Sequence, residues 1–322
     1  MSILEITSIG LQILLPFTLL AWMVFAPVAS RIGFLLRSAA VLSSLIALAL
    51  TALWMIPPWW VPYIYLSLWL IAFVWGVRRV WQNNSVWPRR LLEYLSLAVL
   101  LPLGLWAATL TFQALAGRTP PLSVDVVDLP LPLGPGTYLV ANGGATEIVN
   151  GHLLTLDPKT ERQRAYRGQS YAVDLVKVNG LGLRASGWRP ANPESYLIFG
   201  EPVFAPCEGT VIGARDGIPD MPVPIPDLTL LEGNHVVLDC GKHVVLLAHF
   251  RQGSVKIESG DPVGLGQHVG DVGNSGRTFE PHLHIHAQRP ADPGQPMLSG
   301  EPLHISLNGE FLVRNDRTKL ID

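Results

Sequence analysis

Three histidines stand at alternate positions in the run Pro281-His282-Leu283-His284-Ile285-His286. In an extended strand a period of two turns all three toward one face. Three imidazoles together are costly in an apolar core, and the imidazole nitrogen is a common metal ligand. A His-x-His pair can offer both nitrogens to one ion, or one to an ion and one to a substrate beside it. The alternative is a polar strand facing solvent. Two neighbouring features weigh toward a site. The run Leu246-Leu247-Ala248-His249-Phe250 ends an apolar strand on a histidine, which suits the edge of a site. Residues 260–276 carry glycine at regular intervals, as tight turns between short strands require.

The elements that must position these residues lie in the second part of the chain. All nine His and both Cys follow residue 150. Helical periodicity is absent there. Short alternating or β-branched runs occupy 137–140, 171–178, 210–212, 235–238, 243–248, 282–286 and 311–313, with Gly, Pro and Asn between them. That pattern predicts an all-β domain over 137–322. Two long insertions, 180–201 and the Pro-rich 214–233, interrupt it. Loops of that length shape a substrate groove or decorate a surface. Cys207 and Cys240 each sit beside a predicted strand. Outside the cytoplasm they are expected to pair as a disulfide, the alternative being two buried thiols. They lack CxxC spacing, so they are not expected to share a metal.

The first part of the chain is of another kind. Residues 1–120 hold seven Arg, no Lys and two Glu, about +5, and the remainder is about −7. Three stretches, 6–30, 38–77 and 94–117, carry no charge. A helix crosses the hydrocarbon core in roughly 20 apolar residues. The middle stretch is twice that length, and Pro57-Pro58 breaks it. The reading is an all-α membrane domain over 1–117, with about four spans near 7–28, 36–56, 60–77 and 94–116. A Pro-rich linker over 118–136 follows. Arg31 and Arg37 flank the first loop, and Arg78, Arg79, Arg89 and Arg90 lie in the third. The positive-inside rule makes those loops cytoplasmic. Both termini then lie outside, with the β domain periplasmic or extracellular and the anchor in a bacterial inner (cytoplasmic) membrane. Arg37 is expected to snorkel near a helix end. No acidic or His residue is expected inside a span, so the helices read as an anchor in membrane lipid rather than an ion path. They can also pair with another membrane protein.

The β region resembles the lysostaphin/LytM-like zinc peptidases, which cut peptidoglycan cross-bridges or stem peptides. The resemblance rests on Pro202-Val203-Phe204-Ala205-Pro206-Cys207-Glu208-Gly209-Thr210-Val211, on Gly233-Asn234-His235-Val236-Val237-Leu238, and on Ala248-His249-Phe250. The turn series 260–276 and Glu280-Pro281-His282-Leu283-His284 complete it, in the order the family shows. It implies one zinc ion per chain. It makes His284 a zinc ligand, His282 and His249 the two catalytic histidines, and Asp174, in Ser170-Tyr171-Ala172-Val173-Asp174, the carboxylate ligand.

One position departs from the family. Its members carry His four residues before the ligand Asp, and this chain has Ser170 there. A hydroxyl is a poor zinc ligand. His152, in Asn150-Gly151-His152, is the only His upstream of Asp174 and is taken as the third ligand. His235 and His286 read as supporting or structural, and His243, His268 and His304 as structural or surface residues. Zinc held by three protein ligands lowers the pKa of a bound water to about 7. The expected function is therefore a membrane-anchored zinc endopeptidase acting on peptidoglycan or another peptide, with no nucleic-acid partner. The alternative is an inactive relative that binds cell wall or regulates a partner hydrolase. A lipoyl-type reading of the glycine turns fails, because no Lys lies between Lys256 and Lys319 to carry the group.

Overall fold

Ser30 opens the first long helix: its Oγ accepts from the Gly33 amide at 3.1 Å, an N-cap that fixes where the helix begins. A computed structural model describes residues 10–27, 30–82, 85–122 and 124–321. The chain divides into two units, Met1–Leu115 and Ala116–Asp322. The first unit is helical. A single π turn, Gly10–Leu14, leads into α1 (Leu15–Phe25), followed by α2 (Arg31–Thr51), α3 (Val61–Trp81) and α4 (Leu91–Ala116). The last three, of 21, 21 and 26 residues, are long and apolar enough to cross a membrane. Gly10–Phe25 is a shorter apolar helix. Of the span expected at 7–28, residues 7–9 and 28 lie outside the described residues.

Three expectations for this unit need correction. The span placed at 36–56 is the helix Arg31–Thr51, because the Ser30 cap, not the edge of the uncharged stretch, sets its start. Arg37 does not snorkel. It is 2% exposed, and its Nη1 donates to the Ala26 carbonyl at 3.2 Å. Long side chains on a helix point back toward its N-terminus, and that is where Ala26 lies. Glu93 lies inside α4, buried, with Oε1 accepting from the Ser30 amide and hydroxyl at 3.0 and 2.9 Å. A scan for charge-free stretches starts the helix too late to include it.

The second unit is built on strands. They are β1 (Val126–Leu129), β2 (Gly136–Asn142), β3 (Val173–Val178), β4 (Pro202–Phe204), β5 (Gly209–Arg215) and β6 (Asn234–Asp239). The rest are β7 (Val244–Phe250), β8 (Pro262–Val263), β9 (His268–Asp271), β10 (Leu283–Gln288), β11 (Pro302–Leu307) and β12 (Arg317–Leu320). The main sheet runs β12-β2-β3-β10-β7-β6-β5-β8. β11 joins β10, β1 joins β11, and β4 pairs with β9 apart from the rest. Every pairing is antiparallel except β1 with β11.

β1 lies within the expected linker 118–136, so that segment is not simply a linker. Leu129, Leu131 and Leu133 alternate and are buried in the main core, and that period of two outweighs the intervening prolines. The strand expected at 311–313 does not form. Leu312 and Val313 are buried as an irregular segment, so their apolarity reflects burial and not strand pairing.

The sheet has two different faces. Val173, Leu175, Val236, Leu238, Val245, Leu247, Leu283, Ile285 and Ala287 point into the main core. The residues between them, Asp174, Ala248, His284 and His286, take the other face, as strand alternation requires. Cys207 and Cys240 form a disulfide with Cα atoms 5.9 Å apart, packed against the core. The two insertions pack on each other through Ala185, Tyr196, Val223 and Phe199, and the Val223 amide donates to Ala191 O at 2.9 Å.

Candidate metal centre

Asp174 and His284 are directly paired residues of β3 and β10, so their side chains emerge side by side. His284 Nδ1 lies 2.9 Å from Asp174 Oδ1. His152 arrives from a 3-10 turn, Gly151–Thr155, and places Nε2 2.9 Å from Asp174 Oδ2. Asn150, fully buried, sets that turn. Its Oδ1 accepts from the His152 amide at 3.1 Å, and its Nδ2 donates to Gly144 O and to Ala172 O, both at 3.1 Å. One ligand-type atom from each of His152, Asp174 and His284 lies within 4.8 Å of the other two.

Ser170 is elsewhere. It is buried in the turn Arg167–Tyr171, donates to Arg167 O at 2.7 Å and lies 2.9 Å from Thr155 Oγ1. Among the described residues it is not part of the His-Asp-His group.

His249 reaches the site through a break in the ladder. Asn234 pairs with Phe250 and His235 with Ala248, so His249 is the extra residue of a β-bulge. Its φ of +67° is the left-handed conformation that such a bulge uses. Without the bulge, alternation would turn His249 into the core. With it, the His249 ring lies 4.7 Å from the His282 ring and 5.8 Å from the His284 ring. His249 Nδ1 donates to Ser275 O at 2.8 Å. His282 Nδ1 lies 2.9 Å from Glu280 O, and its Nε2 is 3.7 Å from Asp174 Oδ1.

His286 meets the site from behind: its Nδ1 lies 3.0 Å from His284 Nε2. His235 stands apart, two strands from β10, with Nδ1 donating to Gly233 O at 2.8 Å. Two supporting residues carry no sequence signal. Asn142 Nδ2 donates to Asp174 Oδ2 at 2.8 Å, and Arg314 Nη2 donates to Asn142 Oδ1 at 2.8 Å. Both lie distant in sequence from every motif, and only the fold brings them to Asp174.

The electrostatics suit a cation. Burial by itself would raise the Asp174 carboxyl. The charges of His152 and His282 and the hydrogen bonds from His152 and His284 outweigh it, holding Asp174 well below 3.8. Burial first, then repulsion from His282 and His284, pushes His249 well below 6.5. Burial likewise lowers His284 and His286. Neutral imidazole is the form that binds metals. Two imidazole nitrogens and one carboxylate also match the three-ligand donor set of catalytic zinc. With an ion bound, His284 Nε2–H would donate to His286 Nδ1, and His284 Nδ1, which here meets Asp174 Oδ1, would turn a lone pair to the site. The residues present fit such an ion.

Residues 197–296 match the family model described as Peptidase family M23, and the chain thus contains an M23 peptidase domain. That match takes in His249, His282 and His284 and leaves out His152 and Asp174. No curated protein matches. Among solved structures, a zinc-containing peptidase from Vibrio cholerae is 20% identical over 36% of this chain and 26% of its own, with a TM-score of 0.24. The catalytic domain of the antimicrobial peptidase lysostaphin from Staphylococcus simulans is 23% identical over 41% and 78%, with a TM-score of 0.26. A complex of SpoIIIAH and SpoIIQ gives 15% identity over 50% and 92%, with a TM-score of 0.30. The chain covers only 26%, 42% and 40% of the first three solved structures it matches.

Proposed function

We propose that this chain is a membrane-anchored, zinc-dependent endopeptidase that hydrolyses peptide bonds, with peptidoglycan as its substrate. The observation that carries the reading is the convergence of His152, Asp174 and His284 from three separate parts of the chain. These residues would hold one zinc ion. When bound, zinc supplies an acidified water and polarises the peptide carbonyl.

The remaining steps belong to the chain. His249 is kept neutral with Nδ1–H on Ser275 O, so Nε2 offers a lone pair and accepts the proton from water. His282 Nε2 is within ion-pair distance of Asp174 Oδ1. His282, oriented through Nδ1 by the Glu280 carbonyl, would turn Nε2 toward the oxygen that gains charge as the carbonyl is attacked. His286 fixes the ring of His284 through Nδ1. The basic residues Arg31, Arg37, Arg78, Arg79, Arg89 and Arg90 support a reading in which the first and third loops are cytoplasmic and the peptidase unit lies outside.

The test combines metal content with digestion of isolated peptidoglycan. The full chain in detergent should carry one zinc per molecule and release soluble fragments. His284→Ala should lose both zinc and activity, whereas His249→Ala should keep zinc and lose activity. A protein that cannot be loaded with zinc sinks the proposal. One that holds zinc and digests nothing favours an inactive, regulatory relative.

A further inference from the structure

A cavity of about 510 Å³ opens beside the sheet, lined among others by Tyr166, Arg215, Glu232, His235, Val237 and Leu298. Strand register places it relative to the metal centre. Asp174 pairs with His284, His284 with Ala248, Ala248 with His235, and His235 with Arg215. Directly paired residues share a face. The row therefore carries the metal centre at one end and the cavity at the other, on one side of the sheet. At roughly 4.8 Å per strand, His235 lies about 10 Å from His284. Ala248, the smallest side chain of the row, is all that the sheet places between them. An extended peptide rises about 3.3 Å per residue, so about three residues bridge that distance.

Glu232 and His235 give the cavity two acceptor groups. Tyr166 Oη donates to Glu232 Oε2 at 2.9 Å, and burial, with Glu232 beside it, pushes the phenol up to about 12, so it stays a neutral donor. Among the described residues no Lys, Arg or His nitrogen lies within ion-pair distance of Glu232. Its carboxylate thus makes no direct ion pair. His235 Nδ1–H is used by Gly233 O, and burial lowers the ring below 6.5, so Nε2 carries a lone pair. A carboxylate and an imidazole lone pair together call for a group with several N–H donors and a positive charge. Val237 and Leu298 back the cavity, and Met297, 44% exposed, offers apolar surface to the methylenes that carry such a group. Arg215 stands exposed, where water and salt screen its repulsion.

We propose that this cavity is a specificity subsite for a peptide side chain ending in a primary ammonium, about three residues from the bond that is cut. The distance to the cut bond rests on the peptidase reading above; the binding of the ammonium does not.

The experiment uses the full chain, zinc-loaded, in detergent. Peptides are compared that differ at one residue, scanned along the sequence: lysine, acetyl-lysine or norleucine. The wild type should favour lysine over both others at least tenfold in kcat/KM, at one position about three residues from the cleaved bond. Glu232→Gln should bring the ratio of lysine to norleucine within twofold of unity. A denaturation midpoint of Glu232→Gln equal to that of the wild type shows that the loss of preference is not a folding defect. A wild type without preference, or a preference that survives Glu232→Gln, overturns the subsite. If no peptide is cleaved, the peptidase reading fails by itself, and calorimetric titration of the same peptides decides. Lysine peptide binding at least tenfold tighter than norleucine, lost in Glu232→Gln, sustains the subsite; equal binding ends it.

Discussion

Arg184 and Glu280, 96 residues apart in the chain, meet as a two-pronged ion pair, with Nε 2.9 Å from Oε1 and Nη2 2.8 Å from Oε2. Both side chains are buried, at 4% and 6% exposure. Arg184 also lies over the Tyr196 ring, 5.5 Å from its centroid, and donates to Trp188 O at 3.2 Å. It belongs to the insertion 180–201. The Glu280 carbonyl accepts from His282 Nδ1. The pair thus fastens the insertion to the residue that orients His282.

Removing one partner of a buried pair leaves the other charge unmatched, at a cost of about 3–5 kcal/mol. Arg184→Met is expected to destabilise the protein by about that amount in denaturant titration. The double variant Arg184→Met with Glu280→Met should recover much of the loss, because no lone charge remains. A single variant as stable as the wild type would mean that the pair holds nothing in place.

His152 and Ser170 predict opposite outcomes in metal analysis. His152→Ala should weaken zinc binding roughly a hundredfold or more, since second-shell changes alone cost 10–100-fold. Ser170→Ala should leave one zinc per chain. It removes only the bond to Arg167 O and the contact with Thr155, and should cost about 1 kcal/mol of stability. Zinc bound undiminished by His152→Ala would exclude His152 from the site.

His304 should make stability depend on pH. Its ring is 3% exposed and stacks on Tyr171 with centroids 3.6 Å apart. Neither ring nitrogen has a hydrogen-bond partner. Burial lowers it from 6.5 to about 4. For a base with a depressed folded pKa, the unfolded chain takes up the proton first. Stability is therefore full above about pH 6.5 and falls between there and about pH 4. The loss is of order 3 kcal/mol, at about 1.36 kcal/mol for each pH unit between 6.5 and about 4. His304→Phe, which keeps the stack, should flatten the curve over this range. A variant with the same pH dependence as the wild type counts against the assignment.

The Cys207–Cys240 disulfide spans 33 residues of chain. Closing a loop of that length stabilises a fold by about 3–4 kcal/mol through the unfolded state. Reductant, or Cys207→Ala with Cys240→Ala, should lower the unfolding free energy by about this amount. No change on reduction would indicate that the bond does not form in solution.

Much of this molecule is legible from residue order alone. The split between a sparsely charged helical part and a β part follows from charge and periodicity, because long charge-poor apolar runs suit helices of membrane-spanning length and strands alternate their faces. The spacing of His282, His284 and His286 announced a polar face in an apolar strand, and the surrounding turns and Ala-His-Phe run resembled one peptidase family. Helix limits were less legible. The Ser30 cap on Gly33 sets the start of α2, and Ser30 is also tied to Glu93 of α4, 63 residues away, a contact that no local window contains.

The sequence by itself determined which residue types were available for a metal centre and which run, 282–286, carried three of the nine histidines. Only the tertiary structure decided how they meet. It brought His152, expected as the third ligand because Ser170 stands at the family position, beside Asp174 and His284. It showed His249 swung out of the core by a bulge whose register shift lies on the neighbouring strand. It added Asn142 and Arg314 behind Asp174. The reason is physical: local order fixes which face a side chain takes, but a site of converging atoms depends on strand register and turns, and these are set by contacts between distant segments.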